Sequence, residues 1–166
     1  MTKLDNKGKG NVSNRDDWQT PQWLFNKLNE QYRFTFDCCA SKENRKHLWY
    51  SNDFLNIINE IGQAQYISDH TVWMNPPFSK APEMIRHFFE IVDHGVSIYR
   101  MDNMETKIWQ HILAKSDWIH IFDKRINYEG KAGKGAVFGS ALFGIGVEPP
   151  KDFNGTTMIK YKDVTK

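Results

Sequence analysis

The sequence has little cysteine and few of the residue patterns that build metal sites. Only Cys38 and Cys39 are present among 166 residues, and neighbouring cysteines cannot close an ordinary disulfide with each other. The six histidines lack the HExxH and HxxxH spacings of zinc hydrolases, and two cysteines cannot supply a cysteine-type zinc site. We therefore expect a protein of a reducing compartment that uses no metal.

Long apolar runs and a one-sided charge are also absent. No stretch of about 18 apolar residues occurs, and the N-terminal segment has no apolar core, so neither a membrane span nor a secretory signal is expected. Lys and Arg number 22 against 20 for Asp and Glu, which excludes a histone-like polycation but not a local basic patch. These features favour a cytoplasmic protein with no membrane partner.

The composition is sufficient for one folded domain, since 40% of the residues are hydrophobic. We predict a flexible N-terminal arm over residues 1–16, a single domain over 17–150 and a polar C-terminal tail over 151–166. Apolar strands alternate with helical periodicity, which predicts an α/β fold with a mostly parallel sheet and helices on both faces. Predicted strands cover 34–37, 71–74, 96–99, 118–122 and part of 136–147, and predicted helices begin at Thr20-Pro21, after Ser79 and at Glu105.

The most informative motif is Asn75-Pro76-Pro77-Phe78, which follows the apolar strand 71–74. Ligands of open α/β sheets bind at the carboxyl ends of strands, and two prolines stiffen the turn there. The Asn75 amide oxygen and the Pro76 carbonyl are convergent acceptors, and Phe78 offers a flat face. This combination suits a planar ring that carries an NH2 group, because acceptors on its N–H bonds return the delocalised lone pair to nitrogen. Such a dipole is typically worth about 2.7–4 kcal/mol, and stacking adds roughly 1–3 kcal/mol.

The same residues also have a purely structural interpretation. The proline turn could serve only to let Asn75 cap the following turn while Phe78 packs in the core. Other candidates fit capping or core positions equally well: Asp37, Asp53, Cys38, Cys39, Trp18 and Trp23.

Taken together, three segments resemble the phage-type DNA N6-adenine methyltransferases, the Dam-like family. They are Thr20-Pro21, the run from Phe36 to Ser41 with Asn44, and the motif at 75–78, and the similarity extends over residues 17–148. The resemblance implies a Rossmann-like methyltransferase fold, S-adenosylmethionine as the cofactor and double-stranded DNA as the partner. It also implies that the catalytic residues Asn75, Pro76, Pro77 and Phe78 hold an adenine flipped out of the duplex. A phage-encoded member would act in the host cell cytoplasm.

The resemblance further assigns the cofactor-binding residues. Thr20 and Pro21 match an element that closes over the methionine part of the cofactor, and Asp53 with Phe54 matches an acidic-aromatic pair that meets its adenine half. The remaining assigned residues are Asp37, Cys38, Ala40 and Asn75. Cys38, Cys39 and Ser41 stand where many methyltransferases have Pro, Phe and Gly, so a tight glycine turn is missing from this loop.

The chain leaves no room for a separate recognition domain, so loops are expected to bind DNA. The basic loop 124–135 offers Lys124, Arg125, Lys131 and Lys134 to phosphates, and Lys80 and Arg86 follow the catalytic loop. A solvated loop end is the alternative interpretation of the same charges.

Two other functions stay open, as does a homodimer. Asn-Pro-Pro-aromatic loops also serve methyltransferases that act on protein glutamine or on guanine in RNA, where the target is likewise a delocalised NH2 group. A non-catalytic relative that binds DNA or a partner is the other alternative, because the cofactor loop lacks its glycines.

Overall fold

The structure is a computed structural model that describes residues 16–59, 67–130 and 136–160. The helices are α1 (Gln22–Tyr32), α2 (Ala81–Ile91) and α3 (Lys107–Lys115), with a 3₁₀ helix over Phe54–Asn59. The strands are β1 (Phe36–Asp37), β2 (Thr71–Met74), β3 (His94–Arg100), β4 (Trp118–Phe122), β5 (Ser140–Ile145) and β6 (Gly155–Ile159).

The six strands form one mixed sheet in the order β1-β2-β3-β5-β4-β6. The pairs β1–β2 and β2–β3 are parallel, whereas β5 is antiparallel to both β3 and β4, and β6 is antiparallel to β4. The predicted mostly parallel sheet is therefore correct at one end only. The reason is that β4 and β5 are consecutive in the chain and adjacent in the sheet, so the chain reverses between them as in a hairpin.

Helices cover both faces of the sheet. Side chains alternate along each strand, so successive residues pack against helices on opposite faces. On β2, Val72 and Met74 point to the face that packs against α2 and α3, whereas Trp73 points to the face that packs against α1. Each face has a buried cluster. One contains Ile85, Phe88, Ile112, Ile119 and Phe143, and the other contains Leu24, Leu28, Val96, Trp118 and Leu142.

Three element boundaries differ from the sequence expectation. The capping position of α1 is Pro21 rather than Thr20, and no side chain caps the helix there. Strand β3 begins at His94, two residues before its predicted start at residue 96, and a Cβ on Gly95 would lie 2.6 Å from a methyl group of Val72. Glycine is therefore required at this position by close packing. Residues Gly155–Ile159, within the predicted tail, form the edge strand of the sheet.

Among the described residues, no helix combines the length and apolarity needed to cross a membrane. In the same part of the chain, His, Cys, Asp and Glu side chains form no group of three that could hold a metal ion.

Candidate active site

A cavity of about 250 Å³ opens at the parallel end of the sheet, where β1 and β2 end side by side. This position follows from the fold, since the carboxyl ends of parallel strands meet at one edge and the chain turns away from each of them there. The cavity brings together six of the residues proposed from the sequence: Thr20, Asp37, Cys38, Ala40, Asn75 and Pro77.

Asn75 is held in one orientation by two acceptors from the segment before α1. Its amide nitrogen donates to the carbonyl of Trp18 at 2.7 Å and to the Thr20 hydroxyl at 3.0 Å. Because both amide hydrogens are used, the group that Asn75 can offer to a ligand is its Oδ1, which is an acceptor only. Thr20 therefore positions Asn75 instead of capping α1.

Residues 16–19 form an N-terminal strap across the turn at residues 75–79. The Asp16 carboxylate accepts hydrogen bonds from the backbone N–H of Ser79 at 2.8 Å and from the Ser79 hydroxyl. Gln19 exchanges two backbone hydrogen bonds of 2.9 Å with Glu129, so the far end of the strap is also fixed. The turn at 75–79 is consequently held at both of its ends by residues more than fifty positions away in sequence.

Phe78 is half-buried in an aromatic cluster beside the cavity. The ring of Trp18 stacks on it with a centroid distance of 6.0 Å and an interplanar angle of 25°, and the guanidinium of Arg100 lies 5.1 Å from its centroid. Arg100 is itself fixed by an ion pair with Asp102, which lowers the pKa of that carboxyl below its ordinary value. Trp18 lines the cavity, whereas Phe78 and the buried Pro76 lie just outside its lining.

Asp37 is the buried carboxylate of the cavity, with 3% of its surface exposed. It accepts hydrogen bonds from the backbone N–H groups of Lys46 at 2.9 Å and Cys39 at 3.3 Å. Burial raises the pKa of the Asp37 carboxyl, and these hydrogen bonds oppose that increase. Asp37 thus fixes the loop that follows β1 and places a carboxylate in the cavity wall.

The two cysteines contribute small apolar side chains. Cys38 is fully buried, and the Cys39 thiol lies 3.6 Å from the sulfur of Met84. Burial raises the pKa of both thiols well above the ordinary value, so neither is a reactive thiolate at neutral pH. Cys38 and Ala40 still line the cavity, which shows that the loop can pass along it without glycine.

Three residues assigned to the cofactor are not brought into the cavity lining. Pro21 is buried at the start of α1. Asp53 is exposed, precedes the 3₁₀ helix and accepts hydrogen bonds from the side-chain amide of Asn56. Phe54 is fully buried, with its ring 5.0 Å from that of His87.

The cationic residues proposed for DNA lie on the surface. Lys80 and Arg86 are exposed at the start and on the outer side of α2, and Lys124 and Arg125 are exposed after β4. Lys131 and Lys134 fall outside the described residues. Tyr128 anchors this loop, because its buried hydroxyl lies 2.8 Å from the Ser140 hydroxyl.

Sequence reasoning missed several residues of the cavity wall. Asp16, Trp18 and Gln19 come from the strap, and Asn44, Lys46 and Asn52 come from the segment after β1. Asn44 belongs to the run that carries the family resemblance, which is a usable signal. The strap gives no such signal, because its contacts with residues 75–79 exist only in the folded chain.

Comparison with known proteins identifies a family and a relative. The DNA N-6-adenine-methyltransferase (Dam) family matches residues 7–138, a range that includes the strap, the loop after β1 and the turn at residues 75–79. A DNA N-6-adenine-methyltransferase of Haemophilus phage HP1 (strain HP1c1) is 29% identical over 136 residues, covering 77% of this chain and 72% of that protein. The chain therefore belongs to the DNA N-6-adenine-methyltransferase (Dam) family.

Proposed function

We propose that this protein transfers a methyl group from S-adenosylmethionine to N6 of an adenine that is flipped out of duplex DNA. The observation that carries the proposal is the fixed orientation of Asn75, whose amide hydrogens are bound by Trp18 and Thr20 and whose Oδ1 is left as an acceptor. An acceptor-only amide beside a stiff proline turn suits an aromatic NH2 group. The name of the phage HP1 relative, a DNA N-6-adenine-methyltransferase, supports adenine as the target.

The polar side chains that line the cavity suit the cofactor. S-Adenosylmethionine supplies an electrophilic methyl group on a positively charged sulfur. The carboxylates of Asp16 and Asp37 line the cavity and favour a cation, while the amides of Asn44 and Asn52 suit polar groups of a nucleoside. In this proposal the methyltransferase domain is Rossmann-like at its parallel end, and the cofactor binds where β1 and β2 terminate.

The chain contributes to methyl transfer mainly by binding and orienting the target. Asn75 Oδ1 and the Pro76 carbonyl accept hydrogen bonds from the two N–H groups of the adenine amino group. These bonds draw N6 toward a tetrahedral geometry and concentrate its lone pair. Bound S-adenosylmethionine would supply its methyl group to this lone pair, and its sulfur would keep the electron pair of the C–S bond that breaks. Because Asn75 is neutral, the surplus proton on N6 leaves to water.

Trp18 has a defined part in target binding. Its ring lies on Phe78 at 6.0 Å, whereas a base between two rings needs about 7 Å, twice the contact distance of carbon atoms. The Trp18 side chain therefore turns aside as the base enters. The Trp18 backbone stays in place, since the strap is bonded at Ser79 and Glu129, and its carbonyl continues to orient Asn75.

The decisive experiment measures methyl incorporation from labelled cofactor into duplex DNA of mixed sequence, followed by nucleoside analysis. We expect N6-methyladenine with the unaltered protein and a loss of at least about 100-fold in Asn75→Ala, because one positioned acceptor is removed. Asn56→Ala is the matched control, since that amide is exposed and outside the cavity lining. Label in protein glutamine or RNA guanine, or an Asn75→Ala rate equal to the control, would reject the proposal.

A further inference from the structure

We propose that residues 42–49 form a DNA-contacting loop whose side chains Leu48 and Trp49 pack against the bases next to the flipped adenine. The loop follows β1 and leads away from the cavity wall. This proposal rests on the proposed function, because it assumes a duplex substrate. It adds a contact surface that the sequence did not indicate and that is separate in the chain from the loop that contains Lys124 and Arg125.

The loop stands at the rim of the cavity. Ser41, Asn44 and Lys46 line the cavity directly. At its other end, the carbonyl of Trp49 accepts a 3.0 Å hydrogen bond from the backbone N–H of Asp37, which is also a cavity residue. Leu48 lies between these two anchored positions, so a duplex that delivers a base to the cavity passes within reach of it.

Leu48 and Trp49 are unusually exposed for large apolar side chains. Their exposed fractions are 76% and 60%, and they are adjacent in sequence. Isolated exposed apolar residues are common, but a neighbouring pair on a fixed loop beside a ligand cavity is typical of a contact surface. In the described part of the chain, Met158 and Ile159 make a comparable exposed pair, but they lie on the edge strand β6 at the far side of the sheet.

The loop is fixed by hydrogen bonds that its backbone N–H groups donate. The Asp37 carboxylate accepts from the N–H of Lys46 at 2.9 Å, the N–H of Arg45 donates to the Ser41 carbonyl at 3.0 Å, and the N–H of Trp49 donates to the His47 ring at 3.1 Å. A preformed loop loses little conformational entropy on binding. Its exposed side chains are thus presented in a fixed arrangement.

The charges of the loop select DNA over a second copy of the chain. Lys42, Arg45 and Lys46 oppose only Glu43, so these eight residues carry as much net positive charge as the whole chain. A duplex offers about one negative charge per 1.7 Å of axis, whereas a second copy would bring the same positive loop against this one. Apolar side chains beside cations also suit the gap that base flipping leaves, since apolar wedges commonly fill opened base steps.

The test compares duplex and single-stranded DNA of the same sequence. In Leu48→Ala/Trp49→Ala we expect kcat/KM for methyl transfer to the duplex to fall about tenfold or more, because a wedge stabilises an opened step. Transfer to the single strand, which has no gap to fill, should change less than about threefold. Cofactor affinity by calorimetry should be unchanged, and Met158→Ala/Ile159→Ala should behave as the unaltered protein on both substrates.

Equal losses on both substrates, or no loss on the duplex, would overturn the proposal. The proposal would also fail if the unaltered protein sediments as a dimer and the double variant sediments as a monomer, because Leu48 and Trp49 would then form an interface between copies of the chain. If the unaltered protein methylates neither the duplex nor the single strand, the proposed function fails. The Kd for duplex DNA then tests separately whether residues 42–49 contact DNA. In that measurement Lys42→Gln should reduce the slope of log Kd against log salt by about 0.9, as one lost phosphate contact does.

Discussion

Replacing Thr20 by Val tests the orientation of Asn75 without changing any residue of the turn at residues 75–79. Valine has nearly the same shape as threonine but lacks the hydroxyl that accepts the 3.0 Å hydrogen bond from the Asn75 amide. Thr20 is 2% exposed, so water does not readily replace the lost acceptor. The Trp18 carbonyl still accepts the 2.7 Å hydrogen bond from the Asn75 amide nitrogen. The orientation of that amide is therefore fixed less strongly but is not lost.

The expected magnitude follows from the unsatisfied N–H group. Leaving a buried donor without a partner costs about 1–3 kcal/mol, which corresponds to a decrease of about 5- to 150-fold in kcat when the cost falls on the reactive geometry. The lower part of that range is expected, because the Trp18 carbonyl remains. Thr20→Ser keeps the acceptor and should retain kcat within about threefold.

The assay is steady-state methyl transfer to duplex DNA, with cofactor affinity measured separately by calorimetry. We expect kcat to fall in Thr20→Val while the cofactor Kd changes little. Thr157→Val is the matched control, because its hydroxyl is bonded to His120 at the far edge of the sheet. A weakened cofactor Kd with an intact kcat would refute the positioning role and favour the cofactor contact implied by the family resemblance.

Three further predictions concern the strap, the buried carboxylate and the sheet. Asp16→Ala removes both acceptors that hold Ser79, so methyl transfer should fall about tenfold in the same assay while Tm stays nearly unchanged. Because the folded-state pKa of Asp37 is raised, the stability that this group contributes is present below its ordinary pKa and is lost as pH rises through the raised value. The unfolding free energy of Asp37→Asn relative to the unaltered protein should therefore increase as pH rises above the ordinary pKa of an aspartic acid, as measured in urea titrations. Gly144→Ala places a methyl group 2.3 Å from the ring of Trp118 and should lower the unfolding free energy by about 1–3 kcal/mol in thermal denaturation.

Each of these predictions has a clear contrary result. Full activity in Asp16→Ala would mean that the turn at residues 75–79 is rigid without the strap. A stability difference for Asp37→Asn that declines as pH rises would show that its hydrogen bonds outweigh its burial. An unchanged Tm in Gly144→Ala would show that Trp118 has room to move.

The sequence predicted the parts of the fold that depend on local patterns. The strand Thr71–Met74 and the strand Trp118–Phe122 are found as expected, because short apolar runs with β-branched and aromatic residues favour strands. The α/β class and the family resemblance are likewise confirmed. The sequence does not predict the direction of β5, since apolar patterning does not distinguish a parallel neighbour from an antiparallel one.

Local patterns misplace one of two tryptophans. The core position offered for Trp18 and Trp23 by their helical spacing is wrong for Trp23, which is 54% exposed, whereas Trp18 packs against a buried cluster and also forms part of the cavity wall. The spacing is uninformative here, because Trp18 precedes α1 and belongs to the strap, whereas Trp23 lies inside the helix. Helical periodicity applies only when both residues are in the same helix.

The sequence by itself determined the chemistry available at the end of β2, because an Asn, two prolines and an aromatic ring limit what that turn can bind. Only the tertiary structure decided how Asn75 is oriented, since its two hydrogen-bond acceptors come from residues 55 and 57 positions earlier in the chain. The tertiary structure also decided which residues after β1 reach the cavity, because the Asp37 carboxylate fixes that loop by accepting hydrogen bonds from the backbone N–H groups of Cys39 and Lys46. Local preferences act over a few residues, whereas the orientation of a functional group depends on every segment that packs against it.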